Sequence, residues 1–187
     1  MAKLKKVPKK ASVDRFALIE SALGKLTKAD LFELLMATAR EHDEACRNLE
    51  SKLSIDKPVD LLLTDISSAI DRATDFDERM VNHNFDVDWQ AYEEAKQGFL
   101  KLIEIGQLVE VQLLALELMK RGSYQVECSD EGMMSDEIEA CLKPVIHAVK
   151  AGDASAAKSW ATKMIAADRV GFICDKELGV LAGKAKK

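Results

Sequence analysis

Aromatic side chains make up only 5% of the 187 residues, and three prolines and nine glycines supply the obvious chain breakers. An all-β fold needs many turns, so this shortage of punctuation points towards helices. Long apolar runs are missing too, since no stretch approaches the ~20 residues that a membrane helix needs. The four cysteines, Cys46, Cys128, Cys141 and Cys174, include no close pair. That spacing lacks the knuckle of a structural zinc site. Lys3 to Lys10 has the charge of a signal peptide's opening, but Asp14, Arg15 and Glu20 interrupt the apolar stretch that would have to follow. A cytoplasmic location with reduced thiols is the expectation.

What is present suits closely packed helices: the apolar 48% lies mainly in Leu, Ala, Ile, Val and Met. The formal net charge of -5 is unevenly spread. Lys3, Lys5, Lys6, Lys9 and Lys10 give the first ten residues +5, and Lys184, Lys186 and Lys187 add +3 at the other end. The 173 residues between carry 19 basic and 32 acidic side chains, a net of -13. A broad nucleic-acid face on that acidic body is disfavoured by repulsion from phosphate. The lysine-rich ends are left either as solubilising tails or as contacts for an anionic polymer.

An internal echo organises the second half. Gly106-Gln107-Leu108 begins a helical pattern that returns 46 residues later at Gly152-Asp153-Ala154. Ala115 then falls on Ala161, Leu118 on Met164 and Met119 on Ile165. Before the glycines, Ala95 falls on Cys141, Phe99 on Val145, Leu100 on Ile146 and Ile103 on Val149. Two copies of a helix–glycine turn–helix unit predict stacked helical hairpins.

Apolar periodicity places a first helix over 13–24 and a long one from Leu31 to Leu53, introduced by an N-cap at Thr27 with Asp30 three residues on. Pro58 starts the next, which runs to Ala73. Residues 75–88 read as a structured loop. The repeat copies predict helices near 89–104, 107–121, 136–150 and 154–167, with a polar connector over 122–135 and a closing helix over 169–182. Trp89 and Trp160 are expected to anchor the helix seam. The domain reading is a disordered basic arm over 1–11, one helical-repeat domain over 12–183 with a weak boundary in the 75–88 loop, and a basic tail over 184–187. The expected fold is all-α, with seven or eight helices in stacked antiparallel hairpins, a right-handed tetratricopeptide-like α-solenoid.

Thr27-Lys28-Ala29-Asp30-Leu31-Phe32-Glu33-Leu34-Leu35, followed by Ala39-Arg40-Glu41-His42-Asp43 and Leu49, resembles the opening of helical-repeat regions in uncharacterised bacterial proteins. Many of those regions lie downstream of SWIM-type zinc fingers. The similarity continues through Ile70-Asp71-Arg72-Ala73-Thr74, a Trp89–Tyr92 helix start and Leu102-Ile103-Glu104-Ile105-Gly106-Gln107 into Ala115-Leu116-Glu117. It covers most of residues 20–170 and implies a scaffold or adaptor surface. The SWIM Cys-x-Cys…Cys-x-His cluster has no counterpart here, so a nucleic-acid function of that module does not carry over.

Chemistry is thinly represented. His42 and Cys46, four apart on one predicted helix, share a face that suits metal ligation, but the same face is an apolar stripe. Cys128, Cys141 and His147 lack ligand spacing. Cys174 has neither a glycine elbow nor an evident base, so burial is the expectation. Asp75, Asp77, Glu78, Asp86 and Asp88 are the best acidic cluster for a hard cation or a basic partner. Helix caps and turns account for them equally. In the connector, Tyr124, Val126, Met133 and Met134 lie among Glu127, Asp130 and Glu131. They fit either an adaptable protein contact or the loop's own anchor.

No catalytic residue, cofactor or resident metal is expected. The leading expectation is a non-catalytic scaffold or adaptor that binds a protein or peptide with a basic surface. The alternatives are a nucleic-acid accessory protein using the lysine-rich termini and a metal-dependent enzyme using the acidic loop. No membrane association is expected, and the oligomeric state is open.

Overall fold

A computed structural model describes residues 15–53, 57–79, 87–129 and 132–184. These residues are all-α, with nine helices and no strand among them. The chain divides into two compact units, Met1–Asp56 and Lys57–Lys187.

The first unit holds α1 (Arg15–Leu23), α2 (Lys28–Glu41) and α3 (Asp43–Leu53). Thr27 caps α2 in a capping box. Its Oγ1 accepts from the Asp30 amide at 3.2 Å, and the Thr27 amide donates to Asp30 Oδ2 at 3.0 Å. The single helix expected through Leu53 is broken. His42 is extended (φ -135°, ψ 107°), and Asp43 and Glu44 open a new first turn where acids favour a helix start. Side-chain periodicity runs through such a one-residue break, so the stripe concealed it. α2 and α3 pack together.

The second unit holds α4 (Val59–Ala73), α5 (Trp89–Glu104), α6 (Leu108–Cys128), α7 (Ser135–Lys150), α8 (Ala154–Ala167) and α9 (Asp175–Leu181). Both ends of α5 and α7 are offset by the 46 residues of the sequence echo, as are the starts of α6 and α8. Ala95 and Cys141 are buried equivalents, as are Phe99 and Val145, Ala115 and Ala161, and Leu118 and Met164. Leu100 and Ile146 are not, the first being 39% exposed and the second 4%.

Corresponding helices of the two copies lie against each other, α5 on α7 and α6 on α8, while α4 packs chiefly on α5. Contacts between helices distant in sequence are therefore extensive, and the bundle is not a clean row of hairpins. α5 also reaches α6, and α6 reaches α4 and α7, so the interior is shared among several helices. Two glycines allow close approach. A Cβ on Gly98 would lie 2.3 Å from Ile66 Cγ1, and one on Gly122 would lie 2.7 Å from Ile138 Cδ1.

Gly122 therefore does not end α6, as the sequence suggests. It is a notch for α7, and the helix runs on through Cys128, making much of the expected 122–135 connector helical. The closing helix is shorter than expected. Asp168 accepts from the amides of Val170 (3.1 Å) and Ile173 (3.0 Å), folding 168–174 into a loop before α9. Trp160 is buried, its Nε1 donating to the Gln112 carbonyl at 3.1 Å. Trp89 is 54% exposed at the first position of α5, because Tyr92, Ala95, Phe99 and Leu102 occupy the seam instead.

Candidate functional site

The densest polar arrangement gathers where α4 ends and α5 begins. Arg72 projects from the last turn of α4 and donates to Asp88 at 2.8 Å and to Glu94. Asp88 also caps α5, accepting from the Ala91 amide at 3.0 Å. Burial works against the Arg72 charge, but Glu94 and Asp88 outweigh it and hold the guanidinium more firmly protonated than usual. Beside it, Arg121 of α6 donates to Thr74 Oγ1 at 3.0 Å and pairs with Asp71. Arg72, Asp75, Val87 and Asp88 line a shallow, open depression of about 440 Å³.

Beneath this surface lies a buried hydrogen-bond chain. Tyr92 Oη donates to Gln125 Oε1 at 2.6 Å, and Gln125 Nε2 donates to the Ala73 carbonyl at 3.1 Å. Gln125 is fully buried, and its amide joins α4, α5 and α6. The Cys141 thiol of α7 adds a donation to the Tyr92 carbonyl at 3.3 Å. Burial pushes the Tyr92 phenol above its ordinary range and raises the Cys141 thiol to about 12. These groups are spent on holding helices together, which is the usual fate of buried polar atoms.

A third cluster joins residues 76–78, α6 and the 168–174 loop. Tyr124 donates to Glu78, a bond that raises its phenol to about 12. The Phe76 ring lies 5.9 Å from the Tyr124 ring, centroid to centroid. Arg169 sits 4.6 Å above the Tyr124 ring and pairs with Glu127, so one cation serves a ring face and a carboxylate.

The acidic residues singled out from sequence are thus divided. Asp88 and Glu78 take the structural bonds just described, Asp77 accepts from the Arg79 amide at 2.9 Å, and Asp75 is exposed at the depression. Asp86 lies outside the described residues. In the partner-contact set, Val126 and Met134 are core residues at 2% and 3% exposure, out of reach of a partner on the present surface. Tyr124 and Met133 are half-buried and Glu127 is exposed, while Asp130 and Glu131 lie outside the described residues.

The metal and thiol candidates disperse. His42 stands in the break between helices rather than on one face with Cys46. His147 is exposed, whereas Cys141 on the same helix is buried. Cys174 is buried, its thiol raised to about 12 by that burial, and its amide donates to Glu139 at 3.1 Å. Among the described residues no three His, Cys, Asp or Glu side chains are grouped to hold a metal ion. Likewise, no helix there is long and apolar enough to cross a membrane.

Sequence reasoning overlooked Arg72, Arg121, Arg169 and Gln125, the residues that organise this face. Only Gln125 left a trace, as an amide one position ahead of a core valine. No family model matches the chain, and neither a curated protein nor a solved structure is similar to it.

Proposed function

We propose that this protein is a non-catalytic interaction module whose second unit offers an acidic helical surface to a protein or peptide with a basic face. One observation carries the reading: residues 57–187 hold 23 acidic and 16 basic side chains, a net of -7. The buried polar groups near the best site-like face are already committed to structural bonds. The surplus charge is then left to act at the surface, where it steers and selects a partner of opposite sign. Tyr124, Glu127 and Met133 are the accessible members of the contact set, an aromatic ring beside a carboxylate and an adaptable thioether. The packing of α5 on α7 and of α6 on α8 supports a tetratricopeptide-like reading of the two copies. Likeness to helical-repeat regions of bacterial proteins supports a cytoplasmic adaptor.

Tagged protein recovered from its own cells, and divided before nuclease treatment, tests this. A stoichiometric protein partner should survive nuclease, bind less tightly as salt rises, and be lost from the Tyr124→Ala variant. Recovery of nucleic acid alone would sink the proposal and move attention to the lysine-rich termini. Metal co-purifying in stoichiometric amount would favour the acidic loop instead.

A further inference from the structure

The first unit leaves its apolar surface uncovered. α1 and α2 contain no buried residue, and none of the described side chains of α3 is buried. Leu18, Ile19, Phe32, Leu34, Leu35 and Leu53 are 46–67% exposed. At 3.6 residues per turn, Leu31, Phe32, Leu34, Leu35, Met36 and Ala39 spread over more than half the circumference of α2. α3 is the one helix of this unit packed substantially on α2, and a single neighbour covers a narrower stripe than that. Helices of 9, 14 and 11 residues are marginal in water without tertiary packing.

We propose that α1–α3 pair with the same three helices of a second copy of this chain, making the protein a homodimer through its first unit. The area fits. Those six side chains present on the order of 600 Å², so two copies bury on the order of 1,200 Å², the lower limit for a stable specific interface. The charge fits as well. Residues 15–53 carry six basic and seven acidic side chains, a net of -1, so two copies meet without the repulsion a one-sign surface would impose. A two-fold pairing also lets Phe32 and Leu35 of α2 meet their own equivalents, the self-complementary arrangement a closed dimer requires. This pairing does not depend on what the second unit binds.

Sedimentation velocity on the full chain, across a wide concentration range, tests the pairing. The expected species has twice the 20.7 kDa chain mass, and a Phe32→Glu/Leu35→Glu variant sediments as one chain. Hydrogen exchange completes the test, because α1–α3 should lose protection on dilution or in that variant while α5–α8 keep theirs. A single-chain mass for the unaltered protein at every concentration overturns the proposal. A dimer that persists in the double variant overturns it too.

Discussion

Tyr92 and Gln125 satisfy each other inside the second unit, and the economy of that bond makes it fragile. Tyr92→Phe removes the donor and leaves Gln125 Oε1 buried without one, at a cost of about 1–3 kcal/mol. Urea unfolding should show a lower midpoint with an unchanged slope. An unshifted midpoint would mean that water or another donor replaces the phenol. The buried thiols set a pH dependence whose sign follows from burial. Unfolded cysteines ionise near about pH 8.5. Folded Cys141 and Cys174 keep their protons to about 12. Below the unfolded value this contribution to stability is complete, and between it and pH 12 it is lost, because only the unfolded chain releases protons. Stability measured at rising alkaline pH should fall, and less steeply in a Cys141→Ala/Cys174→Ala variant. Equal slopes would show that the two thiols are not the groups responsible.

Element by element, the glycines separate into kinds. Gly106 closes α5 at φ +78°, with the Gln107 amide reaching the Leu102 carbonyl at 2.8 Å and the Gly106 amide reaching Ile103 at 3.1 Å. Gly152, its sequence equivalent, is not left-handed, so the echo repeats the residue without the conformation. Gly106→Ala should cost about 1 kcal/mol. Gly152→Ala should cost less, although Val149 O would stand 3.4 Å from the new Cβ. Gly98→Ala should be the worst of the series, about 1–3 kcal/mol, because the clash falls on Ile66 Cγ1 near the backbone. Gly122→Ala meets mainly the mobile end of Ile138 and should be milder. Thermal unfolding of the four variants checks this order, and a Gly98→Ala protein as stable as the parent would refute the close α4–α5 approach. The starts of α5 to α8 were legible because both copies carry the same spacing of apolar residues. The end of α6 was not, since a glycine that admits a neighbour and one that ends a helix look alike in a single sequence.

At the scale of the whole molecule, every described residue of the buried apolar core lies between Ile66 and Ala182. A chain beginning at Lys57 should therefore keep a cooperative thermal transition and a shielded Trp160. Loss of that transition would show that residues 1–56 contribute to the core. The site was less legible than the fold. Asp75, Asp77, Glu78 and Asp88 stood out as an acid cluster, yet three of them are tied into a turn, a tyrosine bond and a cap. The arginines that oppose the acids lie as far as 50 residues away, as Arg121 does from Asp71, and pairs at that range leave no local pattern.

The sequence by itself determined the helical class, the two copies at a 46-residue offset, the acidic body and the buried faces of α5 to α8. Each of these follows from local periodicity or summed charge, which a single chain displays. Only the tertiary structure decided that α5 lies on α7 and α6 on α8, that Gln125 is core, that Gly122 is a notch, and that Arg72, Arg121 and Arg169 neutralise particular acids. Those outcomes depend on which surfaces meet, and contacts between residues far apart in sequence carry no period from which to read them.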